Sequence, residues 1–216
     1  ETILVMLTSM GKRGDVSKLK SIGFTAYLTK PIHSKQLLDC ITLAMGRQML
    51  EPSHRSDSII TRHTISEYKK KRVRLLVVDD NATNQAVAKM ILKKLGFSCE
   101  SANNGTEAIK AIQKQSWDLV FMDCQMPVMD GYEATRQIRN GMAGKENKNI
   151  PVIAMTAQAM KGDREICLDA GMDDYLAKPI KPKNLNKILE KWLSRGRSTS
   201  YSEKSNIDPK DDEWKF

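Results

Sequence analysis

The chain has 216 residues, of which 40% are hydrophobic, and it carries a formal net charge of +9 at pH 7. This length and composition allow one or two packed domains. No apolar run reaches the length of a membrane span, no secretory signal pattern opens the chain, and no helix-turn-helix or zinc-finger pattern accompanies the basic residues. We therefore expect neither membrane contact nor nucleic-acid binding by this chain.

The N-terminal segment begins with Glu1 and runs directly into the strand-like stretch 3–7, so we expect a piece of a longer protein. Residues 1–44 match a later segment at a constant offset of 148 residues, as between Thr8 and Thr156. The pattern predicts that 1–44 is the C-terminal half of a domain whose complete copy follows. The other matches are Gly14-Asp15 with Gly162-Asp163, Gly23 with Gly171, Tyr27-Leu28 with Tyr175-Leu176, Lys30-Pro31-Ile32 with Lys178-Pro179-Ile180, and Leu37 with Leu185.

Much of the excess positive charge lies in residues 45–72, which include the run 69–72. This segment lacks a clear apolar period, and we interpret it as a basic, solvated linker with some helix near 65–71. The 4 cysteines form no C-x-x-C pair and no spaced metal pattern. That usage is typical of reduced thiols, and we expect a cytoplasmic location.

The complete copy spans residues 73–193 and alternates strand-like with helix-like patterns, which predicts a parallel sheet with helices on both faces. Residues 194–216 are polar and mixed in charge, and we predict a disordered tail there. The predicted strands are 74–79, 98–101, 119–123, 152–156 and 174–177. The predicted helices are 84–95, 106–115, 131–140 (after Asp130 as N-cap), 161–170 and 182–193.

Two of the predicted strands end in acidic residues. The apolar run 75–78 stops at Asp79 and Asp80, and the run 119–122 stops at Asp123. Ligand sites of open parallel sheets lie beyond the carboxyl ends of the strands. If these strands are neighbours, three carboxylates meet there and repel one another unless a positive charge sits among them. The pattern therefore predicts a bound hard cation and one carboxylate with a chemical role.

The stretch 122–131, Met-Asp-Cys-Gln-Met-Pro-Val-Met-Asp-Gly, resembles the receiver (response-regulator) domain family. The family's other motifs match Val78-Asp79-Asp80-Asn81, Met155-Thr156-Ala157 and Tyr175-Leu176-Ala177-Lys178-Pro179, in an order and spacing that cover residues 73–193. The resemblance implies a flavodoxin-like, doubly wound α/β fold with five parallel strands in the order 2-1-3-4-5. Residues 1–44 then correspond to the last two strand-helix units of a truncated receiver.

The resemblance also implies the chemistry. Asp123 would accept a phosphoryl group from a phosphohistidine on a histidine kinase or a histidine phosphotransfer domain. Mg²⁺ would be held by Asp80, Asp123 and the backbone carbonyl of Gln125, with Asp79 acting largely through water. Lys178 would contact a phosphoryl oxygen, and its peptide bond to Pro179 would be cis.

A two-residue switch is implied as well: the hydroxyl of Thr156 moves toward the phosphate and the ring of Tyr175 follows. Gln125 and Gln158 flank the site, at positions where the family tunes its dephosphorylation rate. Residues 1–44 carry counterparts of the threonine, tyrosine and lysine but none of the acidic residues. As given, this half-domain cannot build a phosphorylation site.

Two receivers in series resemble the C-terminal end of a hybrid sensor histidine kinase. The resemblance implies that this chain comes from such a kinase, which could be anchored in a membrane. The chain has no Gly-rich nucleotide-binding boxes; a receiver itself catalyses only its own phosphotransfer and dephosphorylation. One alternative is a phosphate-independent pseudo-receiver scaffold, which stays open for the truncated domain. An aspartyl-phosphate phosphatase of the haloacid-dehalogenase type is disfavoured, because Gln125 stands where that family has a second aspartate. The stimulus and the oligomeric state stay open.

Overall fold

The computed structural model describes residues 2–9, 15–48, 58–157 and 161–195. The chain divides into two compact units, which we call unit 1 (Glu1–Arg72) and unit 2 (Val73–Phe216). Gln158 and residues 196–216 of the predicted tail lie outside the described residues. In the part that is described, no helix combines the length and the apolarity needed to cross a bilayer.

The described residues of unit 1 form a two-stranded parallel sheet and three helices. The elements are β1 (Val5–Thr8), α1 (Asp15–Ser21), β2 (Ala26–Thr29), α2 (Ser34–Gln48) and α3 (Arg62–Arg72). The segment predicted as a linker contains α3, and just before that helix Ile60 forms a parallel bridge with Ala26. Both Ile60 and Ile65 are buried against β2 and α2. The C-terminal part of the predicted linker is therefore folded onto unit 1.

In the described part of unit 2, strands alternate with helices, and the strands agree with the predicted ones to within one residue at either end. Helix α4 starts two residues before the predicted start at Asn84, because Asn81 caps it by accepting the N–H groups of Thr83 and Asn84. The elements are β3 (Arg74–Val78), α4 (Ala82–Lys94), β4 (Ser98–Ala102), α5 (Gly105–Lys114), β5 (Leu119–Asp123), α6 (Gly131–Arg139), β6 (Val152–Thr156), α7 (Lys161–Asp169), β7 (Asp174–Ala177) and α8 (Pro182–Arg195).

The five strands of unit 2 are all parallel and lie in the order β4-β3-β5-β6-β7. This is the predicted 2-1-3-4-5 order, so the α/β fold prediction is confirmed. In the register, Val78 lies beside Met122, Asp123 beside Met155, and Thr156 beside Ala177. The carboxyl ends of the three central strands and of β7 therefore meet at one edge of the sheet.

Helices cover both faces of this sheet, as expected for strands whose apolar residues run continuously. Successive side chains of a strand point to opposite faces. Helices α5 and α6 pack on the face formed by Leu76, Val78, Val120 and Met122. Helices α4 and α8 pack on the face formed by Leu75, Val77, Leu119 and Phe121.

The internal repeat extends to the backbone hydrogen bonds. Val5 pairs with Ala26 as Ile153 pairs with Asp174, at the same offset. The N–H of Lys30 donates to the carbonyl of Thr8 at 2.7 Å, and that of Lys178 donates to the carbonyl of Thr156 at 2.8 Å. The peptide bond between Lys178 and Pro179 is cis, as predicted, and so is its counterpart at Lys30–Pro31.

Candidate functional site

Three carboxylates meet at the carboxyl edge of the unit 2 sheet. One oxygen from each of Asp79, Asp80 and Asp123 lies within 4.8 Å of the other two. Asp79 is fully buried at the end of β3, Asp123 is 7% exposed at the end of β5, and Asp80 is exposed. The structure therefore brings together the three acidic residues that the sequence placed at two strand ends.

Lys178 supplies a positive charge among these carboxylates. Its Nζ lies 2.8 Å from Oδ2 of Asp79 and 2.6 Å from Oδ2 of Asp123. Lys178 directly follows β7, so its side chain reaches the acidic residues across the end of β6. The ammonium group offsets the repulsion between two buried carboxylates that face the same point.

The pKa values of Asp123 and Lys178 are both raised, although the main cause differs between the two groups. Burial raises the pKa of the Asp123 carboxyl above its ordinary value, and the hydrogen bond from Lys178 offsets only part of that rise. For Lys178, burial alone lowers the pKa, but the hydrogen bonds to Asp123 and Asp79 outweigh it and raise the pKa. The lysine is therefore held in its charged form beside the carboxylates.

A hydrogen-bond network at the start of α4 orients Asp79. Its Oδ1 accepts the backbone N–H of Asn81 and the Nδ2 of Asn84, both at 3.0 Å. The buried Gln85 donates from Nε2 to the backbone carbonyls of Asp79 at 2.7 Å and of Ala102 at 3.2 Å. Asn84 and Gln85 are not among the predicted site residues. The available signal was two amide side chains in the first turn of a helix that begins beside an acidic pair.

A cleft of about 270 Å³ opens beside Asp123. Thr156, 8% exposed at the end of β6, reaches this cleft, as do Gln125 and Ala157. The backbone N–H of Gln125 donates to the Asp123 carboxylate; the role of its carbonyl as a metal ligand stays a prediction. The described residues that line the cleft are Asp123, Cys124, Gln125, Tyr132, Thr156, Ala157 and Lys178.

Tyr175, the second residue of the predicted switch, does not line this cleft. It lies on β7 beside Ala154, and its side chain is 37% exposed. In unit 1 its counterpart Tyr27 is only 9% exposed. The structure therefore places the two switch residues differently, with Thr156 at the cleft and Tyr175 at the surface of the sheet's edge strand.

The cysteine that follows Asp123 is buried beside a second cysteine. Burial raises the pKa of Cys124 to about 12. Its Sγ lies 3.9 Å from Sγ of Cys167, a separation far longer than a disulfide bond. All four cysteines are free, as the sequence predicted.

The donor set fits a hard divalent cation. Mg²⁺ takes oxygen ligands, needs only one or two carboxylates and keeps several waters. Asp79, Asp80 and Asp123 supply carboxylate oxygens within one small volume, and Asp80 is exposed to water. The cluster contains no sulfur or imidazole ligand that would favour a softer metal.

The chain is similar to parts of several histidine kinases. It is 38% identical over 133 residues to the sensor protein GacS of Pseudomonas syringae, a match that covers 62% of this chain and 15% of that protein. It is 38% identical over 123 residues to the hybrid signal transduction histidine kinase F of Dictyostelium discoideum, a match that covers 56% of this chain and 11% of that protein. It is 34% identical over 214 residues to probable histidine kinase 4 of Oryza sativa, covering 88% and 21%. The chain thus spans about a fifth or less of these relatives.

Solved receiver domains share the fold of unit 2. The receiver domain of the sensor histidine kinase PA1611 from Pseudomonas aeruginosa, with a magnesium ion coordinated in its active site cleft, is 44% identical. It aligns with a TM-score of 0.52 over 56% of this chain and 98% of its own. The Saccharomyces cerevisiae receiver domain of Ssk1, crystallised with the histidine phosphotransfer protein Ypd1, is 31% identical. It aligns with a TM-score of 0.54 over 61% of this chain and 95% of its own.

A family model matches residues 75–190, which is more than half of the chain and nearly all of the described part of unit 2. The matched range includes the acidic cluster, the cleft and the lysine that joins them. The chain belongs to the response regulator receiver domain family.

Proposed function

We propose that unit 2 accepts a phosphoryl group from a phosphohistidine onto Asp123, with Mg²⁺ bound at the acidic cluster, as one step of a phosphorelay. The observation that carries this proposal is the position of Lys178, whose Nζ lies 2.8 Å from Asp79 and 2.6 Å from Asp123. With Mg²⁺ bound to offset the charge of the three carboxylates, the ammonium of Lys178 would be positioned to contact a ligand that brings more negative charge to the carboxyl edge of the sheet. A phosphoryl group is such a ligand.

The transfer itself needs little covalent chemistry from the protein. A carboxylate oxygen of Asp123 attacks phosphorus, a P–O bond forms, and the P–N bond to the donor histidine breaks with its electron pair returning to the imidazole. Lys178 stabilises the charge on the phosphoryl oxygens as a point charge. The 270 Å³ cleft that Asp123 and Lys178 share provides room for this group.

Mg²⁺ is proposed as the cofactor, held by Asp80, Asp123 and the backbone carbonyl of Gln125, with Asp79 acting largely through water. When bound, the ion offsets carboxylate repulsion and neutralises charge on the transferring group. The support is the carboxylate geometry and the magnesium ion in the cleft of the similar Pseudomonas aeruginosa receiver. The residue assignments within this set are our proposal.

The signal would leave the site through Thr156 and Tyr175. The hydroxyl of Thr156 would donate to a phosphoryl oxygen, and the ring of Tyr175 would then move inward from its present exposed position. Thr156 lies beside Lys178 in the backbone, since the N–H of Lys178 donates to its carbonyl. Such a movement shifts the population of two conformations that a partner can distinguish.

We further propose that the chain is part of a hybrid histidine kinase, with residues 1–44 belonging to a truncated receiver, 45–72 following it and 73–193 forming a complete receiver. The similar proteins are histidine kinases. The match to the Oryza sativa protein covers 88% of the chain, more than unit 2 alone can supply. The donor would be a histidine kinase or histidine phosphotransfer domain, as in the similar Ssk1 complex.

The test is direct phosphorylation of the full chain by acetyl phosphate with MgCl₂, followed by intact mass measurement. We expect one base-labile phosphate that is lost with a chelator and in Asp123→Asn. Asp118→Asn is the matched control, because Asp118 precedes the opposite end of the same strand and an asparagine there can still accept the N–H of Arg74. Phosphate that persists in Asp123→Asn would refute the assignment, and an unlabelled native chain would favour the phosphate-independent scaffold.

A further inference from the structure

The two oxygens of the Asp79 carboxylate have different surroundings. Oδ1 accepts the N–H of Asn81 and the Nδ2 of Asn84, both at 3.0 Å. Oδ2 faces Nζ of Lys178 at 2.8 Å. Because Asp79 is fully buried, these neighbouring groups must replace the contacts that water would make with its carboxylate. The donors to Oδ1 are neutral, whereas the group that forms an ion pair with Oδ2 is charged.

The start of α4 fixes the neutral donors in place. Oδ1 of Asn81 accepts the N–H of Thr83 at 2.8 Å and caps the helix. One residue beyond Asn84, the side chain of Gln85 donates to the backbone carbonyl of Asp79 at 2.7 Å. These bonds tie the first helical turn to the end of β3, so the amide of Asn84 is held beside Oδ1.

A cation that enters the acidic cluster affects the two sides of Asp79 differently. It competes with the ammonium of Lys178, because both are attracted to the same carboxylates. It does not compete with Asn84, whose amide is neutral and contacts the other oxygen. Rotation of the carboxylate would exchange Oδ1 and Oδ2, and the donors on Oδ1 oppose that rotation.

We propose that Asn84 is a positioning residue for the cation site: its amide holds Oδ1 of Asp79, so that Oδ2 stays directed at the cluster when a cation displaces Lys178. This inference rests on the proposed function, since it requires Mg²⁺ to bind at the cluster. Groups that orient metal ligands commonly change metal affinity 10- to 100-fold when they are removed. We expect about a tenfold loss here, because the N–H of Asn81 still contacts Oδ1 after Asn84 is replaced.

The experiment is an NMR titration of the full chain with MgCl₂, which yields the Mg²⁺ dissociation constant of each folded variant. Asn84→Leu keeps the branched shape of the side chain but donates no hydrogen bond. Asn84→His keeps a donor, because the imidazole Nδ1 branches from Cγ where the amide nitrogen does. Thr83→Ala is the matched control, an exposed position in the same helical turn.

We expect about tenfold weaker Mg²⁺ binding in Asn84→Leu and near-native binding in Asn84→His and Thr83→Ala. Native affinity in Asn84→Leu would overturn the role of Asn84, and so would equal losses in the leucine and histidine variants or in Thr83→Ala. A native chain whose site signals do not respond to MgCl₂ would instead overturn the cation site, and the proposed function with it.

Discussion

At the residue scale, Lys178 occupies a position that a divalent cation would also favour. Its Nζ is the positive charge between Asp79 and Asp123, and its side chain is only 19% exposed. Removal of one partner from a buried ion pair leaves uncompensated charge, which typically costs about 3–5 kcal/mol. Two contributions of the lysine can therefore be separated: its ion pairs within the metal-free fold, and the contact with a phosphoryl group that the proposed function assigns to it.

We predict that Lys178→Met lowers the stability of the metal-free chain by about 3 kcal/mol and increases the rise in Tm produced by MgCl₂. The cation then replaces the missing ammonium instead of competing with it. Thermal unfolding in MgCl₂ and in NaCl of equal ionic strength measures both effects. The exposed Lys181→Met is the control. An equal Mg²⁺-dependent rise in native and Lys178→Met chains would contradict the competition.

Asp174 gives a pH-dependent prediction at the same scale. Its Oδ2 accepts Nζ of Lys191 at 2.6 Å and Nε1 of Trp192 at 3.0 Å, while its Oδ1 accepts the N–H of Tyr175. Burial alone raises the pKa of Asp174, but these hydrogen bonds outweigh it and lower the pKa below the ordinary value. The charged form is thus favoured by folding, and its stabilising contribution is present above the unfolded pKa of about 3.9 and is lost as pH falls through the folded pKa.

We therefore expect Asp174→Asn to lower the free energy of unfolding at pH 7 by about 1 kcal/mol and to have a diminishing effect as the solution is acidified below about pH 4. Urea denaturation at a series of pH values measures the difference from native. Asp169→Asn, an exposed position at the end of α7, serves as the control. A difference that grows on acidification would show that the sign is wrong.

At the element scale, the close contact between β5 and the start of α6 sets the shape of the loop after Asp123. The N–H of Gly131 donates to the carbonyl of Cys124 at 3.1 Å, and Oδ1 of Asp130 caps the helix by accepting the N–H of Glu133. A Cβ at position 131 would overlap the backbone carbonyl of Asp123. The glycine is therefore required by a backbone approach that also places Asp123 and Gln125.

Gly131→Ala should lower the stability of unit 2 by about 3 kcal/mol, because the strand end and the helix start must separate to admit the methyl group. The sequence of unit 1 contains no tryptophan, whereas Trp117 and Trp192 pack in the core of unit 2, so the change in their fluorescence follows the unfolding of unit 2 in urea. Gly46→Ala in α2 adds the same methyl group where nothing lies within 4 Å, and it should leave this transition unchanged. A near-native transition in Gly131→Ala would mean that the loop tolerates a wider separation.

The strands and helices of unit 2 could be predicted from its sequence because continuous apolar runs, glycine stops and the Asp130 cap each report a local preference. The acidic cluster was also predictable, since parallel strands bring their carboxyl ends to one edge. The orientation of Asp79 by Asn84 was not, because a single amide in a helical turn carries no periodic signal. The burial of Ile60 was not either, since one apolar pair before a basic helix does not indicate which surface it covers.

At the scale of the whole molecule, the two units share a repeat but differ at the outer edge of its last strand. In unit 2 this edge is polar: Asp174 accepts the N–H of Tyr175 and contacts Lys191 and Trp192. In unit 1 the residues at the same offset are Ala26, Leu43 and Ala44. These three are buried with Ile60 and Ile65, and the N–H of Tyr27 donates to the carbonyl of Ile60 at 2.8 Å.

The same edge is therefore closed in two ways. Unpaired N–H and C=O groups at a sheet edge need a cover. Unit 2 uses the carboxylate of its own strand residue, whereas unit 1 uses Ile60, whose N–H donates to the carbonyl of Thr25 at 2.9 Å. This difference explains why the segment before α3 folds onto unit 1 although its composition is typical of a linker.

Ala26→Asp should expel Ile60 from this edge in the full chain. The new carboxylate would be buried beside Leu43 and Ala44, without the lysine and tryptophan that Asp174 has, and an unpaired buried charge is strongly unfavourable. We expect amide hydrogen exchange at Ile60 and Tyr27 to accelerate at least about tenfold. A factor of ten corresponds to a decrease of about 1.4 kcal/mol in the free energy of local opening. Leu7→Asp, which adds the same charge at a position 41% exposed in the same sheet, should leave both amides protected.

A triple variant separates loss of the cover from loss of the fold. Ala26→Asp combined with Leu43→Lys and Ala44→Trp transfers the full set of unit 2 residues to unit 1. In that chain the aspartate can accept the N–H of Tyr27 as Asp174 accepts that of Tyr175, so Tyr27 should regain protection while Ile60 stays rapidly exchanging. If the Ile60 amide remains protected in both variants, residues 58–61 are held on unit 1 by α3 alone. The apolar residues at the edge of β2 would then not be the reason that Ile60 packs there.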